Sequence, residues 1–128
     1  MANEIIPVSR SLFLCDFHVG YQDSKVDLYG VFTAIRPAVY PHVRRQLVVF
    51  AQLAGGLGDV PVYLDIRREG GDDGIHTTPV ISVRFPNRTV VVQLAVTIEG
   101  CRFPGPGVYV VDLFCHNTWV CDTTVTLH

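Results

Sequence analysis

Strict alternation of apolar and polar side chains is the feature that most constrains how this chain can fold. Between Val60 and Arg67 every even-numbered residue is a large aliphatic one, and the odd-numbered residues are Pro61, Tyr63, Asp65 and Arg67. A period of two residues is typical of a β-strand, because successive side chains of a strand point to opposite faces of its sheet. No segment shows the periodicity of about 3.6 residues that indicates a helix, although a single helical turn is possible at Pro41–Arg45. The sequence therefore predicts an all-β protein.

Eight segments of this β type follow one another, with turn residues between them. The predicted strands are Ser11–Val19, Val26–Ile35, Gln46–Ala54, Val60–Arg67, Pro79–Phe85, Thr89–Ile98, Gly107–Cys115 and Trp119–Leu127. The 128 residues contain no internal repeat and no linker, and a chain of this length can bury a substantial core. We therefore expect one domain over residues 1–128, folded as an antiparallel β-sandwich of about seven or eight strands.

The charge and hydrophobicity of the chain argue against nucleic-acid and membrane partners. The formal net charge is −2, so no bulk positive field would attract nucleic acid. No apolar run approaches the roughly 20 residues that cross a bilayer, and the N-terminus does not read as a signal peptide. We expect a cytoplasmic protein without nucleic-acid or membrane partners, whose four cysteines are thiols.

Several predicted strands are apolar on both faces, which is unusual for an antiparallel sheet with one solvated face. Charged residues make up only 17% of the chain, against roughly 25% in an average soluble domain. Together these features favour a homo-oligomer, a dimer or larger, that buries a second sheet face; scattered surface apolar groups are the alternative. Asp112 breaks one apolar run and is expected on this outer face. The predicted interface residues are Tyr29, Val31, Val48, Phe50, Val108, Val110 and Phe114.

The segment FCHNTWVCD, residues 114–122, concentrates potential metal ligands and nucleophiles. A three-residue loop at His116–Thr118 would place the odd-numbered residues of both flanking strands on the core face. Cys121 would then lie opposite Leu113 and only diagonal to Cys115, at about 7–8 Å, too far for an easy disulfide. A two-residue turn at His116-Asn117 would instead put the two cysteines on opposite faces. Structural zinc sites commonly use C-x₂₋₄-C pairs, which the chain lacks, so we predict core cysteines and no metal site.

Other polar residues offer weaker candidates. Asp16 and His18 share one face of the first strand and could act as a general base or metal ligand, although a solvated face explains them equally well. The opposite face, expected in the core, carries Phe13, Cys15, Phe17 and Val19. The loop Glu69–Gly74 has carboxylates but lacks the calcium-loop spacing. No hydrolase, P-loop or dinucleotide motif occurs, so we predict no catalytic residue and no cofactor.

The C-terminal segment PGVYVVDLFCHNTWVCDTTVTLH resembles the last hairpin of many immunoglobulin-like domains. The resemblance implies that Tyr109 ties down a loop through its hydroxyl. It implies no intersheet disulfide, because Val111 stands where antibody-type domains carry cysteine. From SLFLCD through LYGVF and QLAGGLGD, the whole chain resembles a family of short bacterial proteins of unknown function with a predicted immunoglobulin-like β-sandwich.

These observations favour a non-enzymatic cytoplasmic module that self-associates and acts as a binding or structural component, with room for an unidentified protein partner. One alternative is a small metal- or thiol-dependent enzyme that uses Asp16 and His18, or Cys115 and Cys121. Another is a small-ligand domain that binds through the loops around Glu69–Thr78. The fold class alone does not choose among them, because sandwiches host unrelated functions.

Overall fold

The computed structural model describes residues 4–71 and 74–128 of the chain, and within these ranges the regular structure is all β. The strands are β1 (Val8–Cys15), β2 (Phe17–Gly20), β3 (Val26–Tyr29), β4 (Ala34–Ile35), β5 (His42–Ala54), β6 (Gly58–Arg68), β7 (Gly74–Thr77), β8 (Ile81–Phe85), β9 (Val92–Phe103), β10 (Gly107–Cys115) and β11 (Thr118–Leu127). The helical turn allowed at Pro41–Arg45 is wrong, because β5 already begins at His42.

The strands form two main sheets and a separate two-stranded hairpin. The three-stranded sheet has the order β1-β5-β9, and the six-stranded sheet has the order β4-β11-β10-β6-β7, with β8 also paired to β6. Pairing is antiparallel except between the short β4 and β11. The predicted all-β antiparallel sandwich is confirmed, although the described residues form eleven strands where about seven or eight were expected; its immunoglobulin-like character stays a prediction.

The hydrophobic core lies between the two main sheets. Its largest contributions come from alternating residues of three central strands: Leu47, Val49, Ala51 and Leu53 of β5, Val60, Val62, Leu64 and Ile66 of β6, and Tyr109, Val111, Leu113 and Cys115 of β10. All of these are at most 1% exposed, and burying one large aliphatic side chain contributes about 1.5–3 kcal/mol. The Tyr109 hydroxyl donates a hydrogen bond to the Gly105 carbonyl oxygen at 2.7 Å, so this tyrosine ties down the turn before β10, as the resemblance implied.

The first predicted strand divides at Asp16 into β1 and β2, and its core face is the reverse of the predicted one. Leu12 and Leu14 lie opposite Ala51 and Val49 of β5 and contact the core, while the odd-numbered residues Phe13 and Cys15 face outward. The assignment of Phe13 and Cys15 to the core between the sheets is therefore wrong, and so is that of Phe17 and Val19 of β2, which are 47% and 37% exposed. The pattern misleads because β1 is apolar on both faces, so alternation alone does not say which face packs inward.

The hairpin formed by β2 and β3, Phe17–Tyr29, folds back over the outer face of the three-stranded sheet; we call it the covering hairpin. The Gln46 side-chain amide donates to the Asp16 carbonyl oxygen at 3.4 Å, and the Gln93 amide donates to the Ser24 carbonyl oxygen near the hairpin tip. These contacts tie its two ends to β5 and β9. The outward residues Val48 and Phe50 of β5 are 1% and 4% exposed. They are therefore buried within the single chain, contrary to their assignment to an interface between chains.

The C-terminal hairpin combines a tight turn with a bulge. His116 and Asn117 have φ angles of 54° and 61°, as in a two-residue type I′ turn, so the predicted three-residue loop is wrong. The register then shifts by one residue, so that Phe114 lies opposite Trp119 but Leu113 lies opposite Cys121. Because the bulge inserts one residue, Cys121 returns to the core face despite the two-residue turn. The expectation that such a turn would separate the two cysteines is wrong for the same reason.

Candidate functional site

The outer face of the six-stranded sheet carries a row of three aromatic side chains on neighbouring strands. Directly opposite residues of antiparallel strands share a face, so Tyr63 of β6, Phe114 of β10 and Trp119 of β11 form one line, the aromatic row. The rings of Tyr63 and Phe114 stack with centroids 5.0 Å apart and planes 10° from parallel. Trp119 is 55% exposed, which makes it the most accessible member of the row.

The predicted three-residue loop puts Trp119 on the core face, and the bulge is the reason that it lies on the outer face instead. With a regular strand from Trp119 to Leu127, all odd-numbered residues would share one face. The extra residue at the bulge reverses this parity on the N-terminal side of Cys121, so Trp119 joins Phe114 on the outer face. The one signal that could have found it is the preference of hairpins for two-residue turns, which pairs Phe114 with Trp119 directly.

A row of three carboxylates lies two residues from the aromatic row along β6 and β10, and three residues from it along the bulged β11. Asp112 of β10 is directly opposite Asp65 of β6 on one side and Asp122 of β11 on the other, and we call these three the carboxylate row. The Thr77 hydroxyl donates to Asp65 at 2.7 Å. The Arg67 guanidinium is the cation paired with the row. Three carboxylates and one guanidinium leave a formal charge of −2, and like charges on directly opposite residues destabilise a sheet.

Asp112 joins the two rows and orients the tryptophan. Its residue is 4% exposed, and each carboxylate oxygen has a partner. Arg67 Nε donates to Oδ2 at 3.1 Å, and the Trp119 indole Nε1–H donates to Oδ1 at 3.1 Å. A buried carboxylate requires such partners, since burying an unpaired charge is costly. The predicted outer-face position of Asp112 is confirmed, and the same hydrogen bonds hold an exposed indole ring in one orientation.

Asp16 and His18, which share a face in the sequence pattern, have separate surroundings in the structure. The Asp16 carboxylate accepts a hydrogen bond from Arg44 Nη2 at 2.5 Å, and the Arg44 guanidinium lies 4.6 Å from the centre of the Phe32 ring. His18 is partly buried opposite Leu28 in the covering hairpin. No hydrogen bond joins Asp16 to His18, both of which lie in the described part of the chain. Through these contacts Asp16 stabilises the bend between β1 and β2.

The cysteines contribute to packing. All four are free thiols; Cys15, Cys101 and Cys115 are buried and Cys121 is partly buried. Burial raises the pKa of Cys101 and of Cys115 to about 11. Because the thiolate is the nucleophile and the metal ligand, a raised pKa makes these thiols unreactive near neutral pH.

Within residues 4–71 and 74–128, no group of three or more histidine, cysteine, aspartate or glutamate side chains is arranged to hold a metal ion. The carboxylates of Asp72 and Asp73, considered for calcium, lie outside the described residues. The described ranges likewise contain no helix long and apolar enough to cross a membrane.

The seven predicted interface residues do not form one surface. Tyr29 and Val31 are 42% and 53% exposed and lie at the end of β3 and just after it, on the side of the covering hairpin. Val108 and Phe114 are partly buried on the outer face of the other sheet. Val110, between them in β10, is 6% exposed within the single chain. With Val48 and Phe50 also buried, three of the seven residues are not at the surface, and the remaining four divide between opposite sides of the sandwich.

One edge of β9 has no partner strand within the three-stranded sheet. β9 is 12 residues long and ends the strand order, and no described strand pairs with its second edge. Its inward-facing residues Val92, Leu94 and Val96 are only partly buried, whereas their partners in the neighbouring β5 are at most 1% exposed. The core is therefore less well covered along β9 than along the central strand.

These features define an all-β sandwich protein with two structured outer faces and an edge strand, β9, that has no paired neighbour among the described residues on one side. The chain belongs to the family of unknown function DUF6941, whose sequence profile matches residues 10–128. No curated protein matches the chain.

Proposed function

We propose that this protein is a non-enzymatic cytoplasmic module that self-associates by pairing the open edge of β9 with the same edge of a second copy. The observation that carries the proposal is the edge of β9 from Val92 to Ile98, with which no strand of the described residues pairs. Support for a non-enzymatic role comes from the buried thiols with raised pKa and from the engagement of Asp16 by Arg44. Four unpaired cysteines also suit a reducing compartment.

The Val92–Ile98 stretch of β9 lacks the devices that usually prevent edge-to-edge pairing, whereas the charged residues Glu99 and Arg102 lie in the remainder of the strand. Natural edge strands are typically short, or carry charges, prolines or bulges. From Val92 to Ile98 the sequence is VQLAVTI, which contains no proline and no charge. From Val92 to Glu99 the pairing of β9 with β5 runs in one unbroken register. This stretch therefore presents a regular series of backbone donors and acceptors to another strand.

Half-buried apolar side chains along the same edge would add a hydrophobic contribution to the free energy of pairing. Val92, Leu94 and Val96 point toward the core but remain partly exposed, and no described strand lies beyond them. A strand added at this edge would cover them, and each Å² of apolar surface removed from water contributes about 25 cal/mol. Backbone pairing and side-chain burial therefore favour the same arrangement.

A second copy is the occupant that best fits this edge. Antiparallel pairing of β9 with itself about a twofold axis would bring one uncharged segment against another, so no like charges would be opposed. The two three-stranded sheets would become one continuous sheet of six strands, and twofold dimers are the commonest soluble oligomers. The low charged fraction of 17% suits a chain with part of its surface covered in an assembly.

A lysine substitution on β9 tests the proposal. Thr97 is exposed and points to the outer face of β9, so Thr97→Lys should leave the fold intact while placing a charge beside the pairing edge. Native mass spectrometry and light scattering over a dilution series should show a dimer for the unsubstituted chain and a dissociation constant raised at least tenfold for Thr97→Lys.

Ser82→Lys provides the matched control, because Ser82 is an exposed residue of β8, in the other sheet. The Ser82→Lys variant should have the same dimer dissociation constant as the unsubstituted chain. A chain that is monomeric at all concentrations would overturn the proposal, as would a dimer that Thr97→Lys and Ser82→Lys affect equally.

A further inference from the structure

We propose that the outer face of the six-stranded sheet binds a cationic side chain of a partner peptide, best an arginine, on the exposed ring of Trp119 beside the carboxylate row. This site lies on the opposite side of the sandwich from the covering hairpin and is independent of pairing along β9. The inference therefore goes beyond the proposed function and can stand or fall without it.

The orientation of the Trp119 ring is fixed before any ligand binds. The ring of Trp119 is more than half exposed, yet its indole N–H is fixed at 3.1 Å to a carboxylate that is itself buried. Arg67 holds the other oxygen of Asp112, so the carboxylate is anchored at both ends. A binding surface fixed before the partner arrives avoids part of the ordering entropy of association. Trp119 can thus offer a ring face of defined orientation.

The carboxylate row supplies charge complementarity. Asp65, Asp112 and Asp122 are directly opposite one another on three neighbouring strands, and Arg67 balances only one of them. Asp122 is exposed, and Asp65 is partly exposed. A cation placed near either accessible carboxylate would relieve its repulsion with Asp112, which lies between them. The row therefore favours a positively charged occupant over a neutral or anionic one.

One ligand group can use the ring and the carboxylates together. Tryptophan is the best aromatic partner for a cation, and arginine stacks on aromatic faces while its planar fork donates to carboxylates. The guanidinium of an arginine can lie on the Trp119 ring and donate toward Asp122 at the same time. A lysine can satisfy the charge but not the planar stacking. A neutral sugar could stack on the ring, but it would gain nothing from the net charge of the row.

The test exploits the single tryptophan of the chain, which is Trp119. Its fluorescence is recorded during titration with a five-residue glycine peptide that carries two arginines, and with a matched peptide that carries glutamine instead. The proposal predicts a saturable change with the arginine peptide, weaker at high salt because exposed charges are screened, and none with the glutamine peptide. Equal responses to both peptides would overturn it, and so would saturable binding of a neutral oligosaccharide together with no response to arginine.

Asp122→Asn and Asp65→Asn locate the binding surface. Asp122→Asn should lower the affinity for the arginine peptide about two- to fivefold, the range expected for a partly exposed ion pair, and Asp65→Asn should lower it less, because β6 lies two strands away from Trp119. Asp59→Asn is the control: Asp59 lies on the same face of β6, roughly 20 Å along the strand, and pairs with Arg84. It removes the same charge from the chain and should leave the affinity unchanged. If all three variants bind alike, the peptide is attracted by net charge alone and the assigned site is wrong.

Discussion

At the scale of single residues, Asp112 determines how the outer face of the six-stranded sheet is arranged. It is a buried carboxylate at the centre of three strands, and its oxygens bind one guanidinium and one indole N–H. Removing a partner from a buried charge usually costs more than making the pair gains, because the remaining charge stays desolvated. Arg67 and Asp112 should therefore matter for stability as well as for the orientation of Trp119.

Replacement of Arg67 by methionine tests this role. Arg67→Met keeps a long apolar stem but leaves Oδ2 of Asp112 without its donor, and we expect a loss of about 1–2 kcal/mol, limited because the Arg67 side chain is 42% exposed. Urea unfolding monitored by circular dichroism measures the loss. Arg84→Met, which breaks an exposed pair with Asp59, should cost less than about 1 kcal/mol. Equal losses in the two variants would contradict the central role of Asp112.

The buried thiols are the second feature at this scale, and they predict how stability changes in alkali. Burial raises the pKa of Cys115 from 9.0 to about 11, so the folded chain holds this proton more tightly than the unfolded chain. The contribution of Cys115 is therefore fully present below pH 9 and is lost as the pH rises through about 11. Comparison of the unsubstituted chain with Cys115→Val by urea unfolding between pH 8 and 10.5 isolates this effect from other titrations. We expect the unsubstituted chain to lose stability more steeply, and parallel curves would show that ionisation of Cys115 is not linked to folding.

At the scale of secondary-structure elements, the covering hairpin explains why β5 can be apolar on both faces. It turns back at Asp16, and Gly30 stands where β3 ends. Gly30 has a φ angle of 67°, and a Cβ atom added there would overlap the Asp16 carboxylate. Because Arg44 holds that carboxylate, the hairpin can return over the sheet only if the crossing backbone lacks a side chain at this position.

Substitution of this glycine tests how the hairpin is attached. Gly30→Ala should lower the free energy of unfolding by about 1–3 kcal/mol, since it combines a left-handed backbone conformation with a steric overlap. Gly20→Ala is the control within the same hairpin, because an added Cβ has no atom within 4 Å; it should change stability by less than about 0.5 kcal/mol. Thermal and urea unfolding of both variants provide the comparison. A tolerated alanine at position 30 would mean that the hairpin is not locked at this crossing.

The elements also show which parts of the fold can be predicted from the sequence. The alternation in β6 and β10 identified both the strands and their core faces, because each has apolar residues at every second position and a polar residue on the other side. The pattern also predicts a second apolar face at Val48 and Phe50, but alternation does not say whether another chain or a distant segment covers it. Trp119 was misplaced because one extra residue in a strand reverses the facing of every residue beyond it.

The candidate site was less predictable than the fold. Asp112 was expected on the outer face, yet nothing local indicated that Asp65 and Asp122 would lie beside it, because β6 and β11 meet β10 through long-range pairing. The open edge of β9 was likewise invisible, since the strand order decides which strand lacks a neighbour. Such features depend on topology, which a pattern read along the chain does not contain.

At the scale of the whole molecule, the two outer faces of the sandwich have different roles in this account. The chain's own hairpin covers much of one face, and the other presents an oriented aromatic ring beside carboxylates. The open edge of β9 lies at the side, where pairing with a second copy would leave the aromatic row accessible. A dimer built in this way would carry two cation-binding surfaces.

Hydrogen exchange along β9 is the measurement that tests self-association most directly. Amide exchange of residues 92–98 is followed by mass spectrometry above and below the dissociation constant, with the central strand β10 as the internal reference. Pairing between copies predicts slower exchange of residues 92–98 at high concentration and no change in Gly107–Cys115. Exchange along β9 that is the same at every concentration, in a chain shown by its mass to be assembled, would place the interface elsewhere and contradict the account.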